Sequence, residues 1–356
     1  MLLGGGGVFL RHLKWLGALA ALALLLLRPA EAAAGALLAS ARWYFSVAPA
    51  LFPFLALMPL LSCSEAAKAY EALLGRVSEA LFKLPGAAAP ALVAGMLAGS
   101  PAGALAAADI ARNGGMNRGQ LRRAALSLAG FSPAFLAGGV GAGMLGDARL
   151  GWRLYGAQLL TQLTLLVALR GARRDDARPV TGAARVREAR PVRDAVGTAL
   201  GVCGYMALFG ALNGAIRCCV PSIIADALLC LTDAPSGAAL LAAGALPVGT
   251  RLALLGALAG FGGACVIAQN LSALKGCGVR PGEYVAARLA AAGLTAGYAS
   301  LPVLLAAASG RAVRQALERP MALAALAVCL LAAPVLKKCA KTFVLTKKGI
   351  DRPMEL

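Results

Sequence analysis

Seven polar residues interrupt long apolar stretches of the sequence, and these are the residues whose types could do chemistry. A polar side chain in hydrocarbon is costly without a partner, so each is a candidate ligand for an ion or a small solute. Breaks in the helices that carry them would add unpaired backbone groups able to bind the same cargo. The candidates are Ser100, Ser132, Thr232, Asp233, Ser236, Gln269 and Asn270.

Asp233 is the candidate with the sharpest chemistry. A carboxylate inside the membrane could bind Na⁺ or carry a proton. The alternative is that Asp233 caps the helix that begins at Pro235, because Asp followed by a helix-starting Pro is a common N-cap pattern. The sequence leaves both interpretations open.

A further polar set lies on the fourth predicted span at helical spacing: Gln158, Thr161, Gln162 and Thr164. Hydrogen bonding between helices, at about 1 kcal/mol or less per bond, is its expected role.

The sequence does not favour an enzyme or a cofactor site. The only histidine is His12, which excludes a Ser-His-Asp triad. The nine cysteines include no C-x-x-C pair, so neither a zinc site nor a disulfide framework is predicted.

The elements that must position the polar residues are membrane-spanning α-helices. Of the 356 residues, 60% are apolar and only 14% are charged, and several apolar runs reach the length of a span. We predict an all-α polytopic protein with about eight transmembrane helices, the first an uncleaved signal-anchor rather than a signal peptide. The predicted spans lie near residues 13–27, 47–61, 120–145, 151–169, 195–216, 252–274, 284–308 and 321–336.

Two other apolar segments, residues 86–113 and 220–246, are interrupted by Pro and Gly. Proline removes a backbone donor and glycine permits a sharp turn, so a re-entrant helical hairpin is predicted in each. A Pro-kinked span or a shallow interfacial loop is the alternative. The predicted tip breaks are Gly99, Pro101, Gly103, Pro235 and Gly237.

The two halves of the chain resemble each other. Leu-Ala-Gly-Phe at residues 128–131 recurs at 258–261, each time after a broken hairpin. Five segments are therefore predicted: an N-terminal signal-anchor and interfacial segment, a first repeat, a basic linker, a second repeat, and a last span with a basic tail. Their bounds are 1–46, 47–169, 170–194, 195–308 and 309–356.

The net charge of +19 is concentrated in the linker and the tail. These basic segments lack the interleaved aromatic residues of a single-strand nucleic-acid binder. A lipid bilayer is therefore the expected partner, and nucleic acid is not.

The linker and both termini are predicted to be cytoplasmic, although Arg311, Arg314 and Arg319 would then lie outside. This topology inverts the two hairpins relative to each other, as in many secondary transporters. A homo-oligomer is also possible.

The order of several motifs resembles the YlbJ-type sporulation integral membrane proteins. The resemblance rests on Pro49 to Phe54, Gly99 to Ala104, Pro133, and Gly260 to Gly263 followed by Gln269. It implies a Gate or nucleoside-recognition domain, shared with concentrative nucleoside transporters and FeoB. It also implies a cell-membrane protein of endospore formers, linked to the spore cortex. The family's Asn-rich run before Pro133 and its His at the place of Ile267 are absent here.

The leading hypothesis is a transporter-like protein that moves or recognises a small solute, with Na⁺ or a proton as coupling ion. The alternative is a non-transporting scaffold or assembly factor for the spore envelope.

Overall fold

The computed structural model describes residues 5–61, 71–72, 74–170, 178–180 and 191–308. These residues form helices and short connections, and none of them lies in a β-strand, which confirms the predicted all-α class. The predicted span at 321–336 and the basic tail lie outside the described residues, as does most of the linker.

The α-helices of the described ranges are numbered in chain order. They are α1 (Gly5–Leu27), α2 (Pro29–Arg42), α3 (Ala48–Leu61), α4 (Ala89–Val93), α5 (Ala102–Arg112), α6 (Arg118–Ser127), α7 (Ala148–Leu169), α8 (Pro191–Arg217), α9 (Ser222–Thr232), α10 (Ala234–Ala243), α11 (Val248–Phe261), α12 (Gly263–Ala273) and α13 (Pro281–Ala308). Wider π-helical turns join or extend them at Trp43–Val47, Ser78–Phe82, Ala94–Ala98 and Ala134–Met144, and a 3-10 turn lies at Gly86–Ala88.

Two helical segments in the described ranges are long and apolar enough to cross a membrane, Val192–Arg217 and Val248–Ala273. Two bent pairs also qualify if each is counted as one span. Trp15–Leu27 meets the helix that begins at Pro29 at 102°, and Leu74–Phe82 meets Gly86–Ala98 at 103°. The structure therefore supports two to four spans in these ranges, and the count of about eight stays a prediction.

Both copies of Leu-Ala-Gly-Phe lie at a helix break, where the sequence predicted continuous spans. In the first copy, α6 ends at Ser127 and the chain is non-helical until Pro133. Pro133 disfavours helix in the residue before it, Ser132, and so accounts for the last residue of this break. In the second copy, α11 ends at Phe261 and α12 starts after Gly262, whose φ is +84°.

Each predicted hairpin has two separate helical arms in the structure. In the first hairpin, the arm ending at Ala98 meets α5 through Gly99, whose φ of +74° favours glycine. A Cβ on Gly103 would lie 2.5 Å from the Cα of Gly95 on the facing arm. In the second hairpin, a Cβ on Gly237 would lie 2.8 Å from the Cα of Cys230. A glycine two residues after the tip proline thus lets the arms of each hairpin pack closely.

The ends of several elements meet at one end of the bundle, which we call the basic face. Arg112, at the end of the first hairpin, donates hydrogen bonds to the carbonyls of Ala273 and Lys275 at 3.3 and 3.4 Å. Arg122 pairs with Glu283 at 2.7 Å. The first hairpin therefore opens toward the basic face. That this face is cytoplasmic stays a prediction.

The second hairpin opens in the other direction. Its tip residue Thr232 hydrogen-bonds to Asn213 of α8, and Asp226 in its first arm pairs with Arg217 at the end of α8, at 3.0 Å. The tip of the first hairpin instead shares a hydrophobic cluster with Ala195 and Ala199 near the start of α8. The two tips therefore approach each other from opposite ends of that helix.

One contact supports a two-fold relation between the halves. The hydroxyls of Thr161 on α7 and Thr295 on α13 lie 2.9 Å apart, and the two residues are 134 positions apart in sequence. The same interval separates Pro101 from Pro235. This contact joins the last helices of the two repeats, α7 and α13, as a pseudo-two-fold relation would, although the Leu-Ala-Gly-Phe copies are 130 residues apart.

We expect Gly103→Ala to destabilise the protein, because the new Cβ would overlap Gly95 and the arms of the first hairpin would have to part. The expected cost is about 1–3 kcal/mol. Gly156→Ala is the matched control. Gly156 also lies in a helix, but a Cβ there would meet nothing within 4 Å. Thermal unfolding in detergent should show a lower midpoint for the first variant only; equal midpoints would contradict the close packing of the arms.

Candidate functional site

A small cavity lies between the tips of the two hairpins, and we call it the tip cavity. Its volume is about 40 Å³, room for roughly two or three water molecules at about 15 Å³ each. Much of its wall is apolar and comes from α3 and α8. Four predicted site residues and one cysteine also line it: Ser100, Ser132, Asp233, Gln269 and Cys265.

Four helices begin at the tip cavity. They are α5, the π-helical segment Ala134–Met144, α10 and α12, each the part that follows a break. The start of a helix carries unpaired N–H groups and a partial positive charge of roughly half an elementary charge. The tip cavity therefore lies in a region of positive backbone potential, and among its described lining residues Asp233 carries the only carboxylate.

Asp233 occupies the N-cap position of α10, in extended conformation, and only 1% of its surface is exposed. Neither carboxylate oxygen makes a hydrogen bond of normal geometry. The hydroxyl and N–H of Ser236, and the guanidinium of Arg42 on α2, lie close enough to interact with the carboxylate. The Asp233 side chain makes no capping hydrogen bond, so the N-cap interpretation holds for its position only. The residue stands at a helix start, and its oxygens retain capacity for a ligand.

Ser100 fixes the tip of the first hairpin to both halves of the protein. Its N–H donates to the carbonyl of Gly130 at 2.7 Å, and its hydroxyl accepts the Gly130 N–H at 3.2 Å. The amide nitrogen of Asn270, on α12 in the second half, donates to the same hydroxyl at 3.0 Å. Asn270 therefore supports the site from behind and does not line the cavity.

Ser132 and Gln269 face the cavity from the segments that follow the two breaks. The hydroxyl of Ser132 accepts the N–H of Phe135 at 3.2 Å and so caps the π-helical segment. The amide of Gln269 donates to the Cys265 thiol at 3.2 Å. Its carbonyl oxygen is left as an acceptor.

Besides Asn270, two predicted site residues do not line the cavity. The hydroxyl of Thr232 donates to Asn213 at 2.9 Å and to its own helix, so it ties the second tip to α8. Ser236 is buried one turn into α10, beside Asp233. Among the predicted break residues, Pro235 lines the cavity, whereas Gly99 makes close backbone contacts with residues 130–132.

The sequence analysis missed Arg288, which lies on α13 and is only 3% exposed. Its guanidinium donates to the carbonyl of Ala129 at 2.8 Å, to that of Gly260 at 3.5 Å, and to that of Leu126. These carbonyls belong to the two Leu-Ala-Gly-Phe breaks and to the end of α6. The signal was present, because Arg288 is the only charged residue between 284 and 308, and a charge within a span marks a functional residue by default.

The polar set on α7 makes the interhelical hydrogen bonds expected of it. The Gln158 side chain donates to the carbonyl of Phe131 and accepts its N–H, both at 2.8 Å. Thr164 contacts the hydroxyl of Tyr298 on α13 at 2.9 Å. The first break is therefore held by a glutamine from its own half and by Arg288 from the other.

Fold and site together define a helical integral membrane protein in which two opposed broken hairpins enclose a small cavity with one carboxylate. The chain is similar to the sporulation integral membrane protein YlbJ of Bacillus subtilis (strain 168). The two are 29% identical over 196 residues, which cover 48% of each chain. This confirms the resemblance seen in the motifs.

The matched segment spans about half the length of that relative. No family model matches the chain, and no solved structure matches it. A Gate domain and a nucleoside site therefore remain expectations.

Replacing Arg288 with Met should strongly destabilise the protein, because the carbonyls at both breaks lose a donor. Each buried carbonyl left unpaired costs about 1–3 kcal/mol. Arg288→Lys should recover only part of the loss, since an ammonium cannot span several acceptors as the guanidinium does. Arg149→Met, at an exposed arginine, is the control. A thermal midpoint for Arg288→Met equal to the control's would show that Arg288 does not hold the breaks.

Cys265 should report whether the tip cavity is closed. It is 1% exposed, whereas Cys218 at the end of α8 is exposed. With N-ethylmaleimide, and mass spectrometry to quantify each site, we expect Cys265 to react much more slowly than Cys218. Rates within about twofold of each other would mean that the cavity stands open to water.

Proposed function

We propose that this chain is a transporter-like protein of the bacterial cell membrane that binds a small solute between the two hairpin tips and moves it across. The observation that carries the proposal is the tip cavity. Residues from both halves meet there around a buried carboxylate. Secondary transporters with inverted repeats place their substrate sites near the midplane in this way.

The small volume of the tip cavity implies that the structure is in a closed state. Pockets that hold a drug-sized or nucleoside-sized molecule have roughly 300–1,000 Å³, far more than the 40 Å³ present here. A solute of that size requires the tips to separate. For the tip of the first hairpin to move, the hydrogen bonds of Ser100 must break. For the tip of the second hairpin, those of Thr232 must break.

The proposal includes a coupling ion, either Na⁺ or a proton, at Asp233, and a place for the protein in sporulation. The similarity to a sporulation integral membrane protein supports the second point. The cytoplasmic linker and termini, a Gate-type domain, and a possible homo-oligomer belong to the same proposal. No cofactor, enzymatic step or nucleic-acid partner enters it.

Uptake into proteoliposomes tests the proposal. Radiolabelled nucleosides, amino acids and small sugars are offered one at a time, and uptake is compared with empty liposomes. For a solute that enters, Asp233→Ala and Gln269→Ala should each lower uptake about 10-fold or more, because a hydrogen bond to a charged group is worth about 1.5–3 kcal/mol.

Ser300→Ala is the control for uptake. The Ser300 hydroxyl donates only within α13, to the carbonyls of Ala296 and Gly297. Uptake that is unchanged in both site variants would refute the assignment of the site.

A non-transporting scaffold or assembly factor for the spore envelope is the second candidate. The small and mostly apolar cavity favours it, since a closed site of this size holds little beyond water. This function predicts a stable protein partner recovered with the tagged chain from detergent extracts of sporulating cells. It also predicts no uptake of any solute in the panel.

A further inference from the structure

We infer that a short piece of the linker holds the two halves of the protein together at the basic face and so keeps the tip cavity closed on that side. We call this piece, residues 178–180, the linker strap. It consists of Arg178, Pro179 and Val180. Because the strap controls access to the tip cavity, its role rests on the proposed function.

The backbone of the linker strap is bound at the start of α6. The N–H of Arg118, the first residue of α6, donates to the carbonyl of Arg178 at 3.2 Å. The first N–H groups of a helix have no partner within the helix, so this bond satisfies one of them. The Nε of Arg118 also donates to the carbonyl of Pro179 at 3.3 Å. One turn further along α6, Arg122 forms the ion pair with Glu283 at the basic face, so the strap is fixed there.

The side chain of Val180 inserts into the protein. Arg178 and Pro179 are exposed, whereas Val180 is only 6% exposed. Val180 belongs to a hydrophobic cluster that we call the inner cluster, to which both halves contribute. Its members include Leu84, Ala91 and Leu121 from the first half and Ile267, Leu274, Cys277 and Tyr284 from the second. Burial of an apolar side chain is favourable, so Val180 holds the strap to both halves.

The inner cluster lies between the tip cavity and the basic face. On α12, Ile267 belongs to the cluster and its neighbour Val266 lines the tip cavity. At the other end of the cluster, Cys277 lies two residues after Lys275, whose carbonyl accepts a hydrogen bond at the basic face. A solute that reaches the cavity from the basic face must pass where the halves meet in this cluster. Because Val180 packs there, parting the halves requires release of the strap.

The contacts of the strap are local. They are two hydrogen bonds at the surface and one buried side chain. A contact of this size opens at a lower free energy than the packed helices of a repeat. The strap can therefore leave while both repeats stay folded, as a regulatory contact requires.

Two native cysteines report on the strap without a transport assay. Cys277 belongs to the inner cluster, Cys265 lines the tip cavity, and each is 1% exposed. Their reaction with N-ethylmaleimide in detergent is followed by mass spectrometry in the wild type, in Val180→Asp and in Val192→Asp. Val192 is the matched control, because it is 62% exposed at the start of α8.

In Val180→Asp both cysteines should react about 10-fold faster or more, because a carboxylate is unstable in an apolar cluster and the strap should leave it. Val180→Ala, which removes both γ-methyl groups, should give a smaller increase at both cysteines. The control should match the wild type, and the exposed Cys218 should react at one rate throughout. If Val180→Asp fails to fold, the comparison is decided by Val180→Ala.

The two cysteines separate a closing contact from simple packing. Faster reaction of Cys277 alone would overturn the closing role, since the strap would then cover only the cluster beneath it. Unchanged rates at both cysteines would overturn the docking of Val180 itself.

Uptake of the solute found in the panel separates the strap from the transport proposal. With the closing contact gone, Val180→Asp should take up that solute faster than Val192→Asp. Equal or slower uptake, with Cys265 reactive, would overturn the inhibitory role and leave transport intact. No uptake by any variant, with Cys265 reactive only when Val180 is replaced, would overturn transport and leave the strap as a closing contact.

Discussion

The arrangement of the broken helices depends on one buried cation. Arg288 binds backbone carbonyls at both Leu-Ala-Gly-Phe breaks, where α6 and α11 end. A guanidinium in this position is costly to desolvate, but helix ends carry partial negative charge, and several carbonyls share the cation. The Tyr284 ring, 5.6 Å from the guanidinium carbon, adds a cation–π contact. With the negative helix ends bound by Arg288, the positive ends of the helices after the breaks are left to face the tip cavity.

The hairpins could be predicted from sequence because Pro and Gly act locally. Pro101 and Pro235 each lie two residues from a glycine, a combination that favours a turn. The structure breaks the chain beside both, whereas Pro53 and Pro59 lie within α3. The breaks at Leu-Ala-Gly-Phe were missed because Leu128 to Phe131 continues the apolar pattern of a span. Only the repeat of the motif and the following Pro133 or Gly262 mark the end of a helix there. An apolar run shows that a segment is buried, but not whether it is continuous.

The candidate site was predictable in composition but not in geometry. Ser100, Ser132, Asp233 and Gln269 line one cavity, although Ser100 and Gln269 are far apart in sequence. Asn270 instead donates to the Ser100 hydroxyl, and Thr232 donates to Asn213 of α8. Which of two adjacent polar residues on a helix faces a cavity depends on the rotation of that helix, which tertiary packing sets. Arg288 was overlooked because it lies outside both the hairpins and the repeated motif, yet its partners are the breaks of both halves.

The distribution of hydrogen bonds determines which part of this structure can move. The first hairpin tip is held to the rest by three bonds of Ser100, with Gly130 and Asn270. At about 0.5–1.5 kcal/mol net for each bond, their loss costs roughly 1.5–4.5 kcal/mol. Shifting a two-state equilibrium from 1:99 to 99:1 takes about 5.5 kcal/mol of differential binding, so under the proposed function the solute would have to bind the open state more tightly by that amount. The Arg288 contacts at the far ends of the same breaks include buried charge and cost more to disrupt. Motion is therefore expected at the tips, with the breaks around Arg288 as the fixed end.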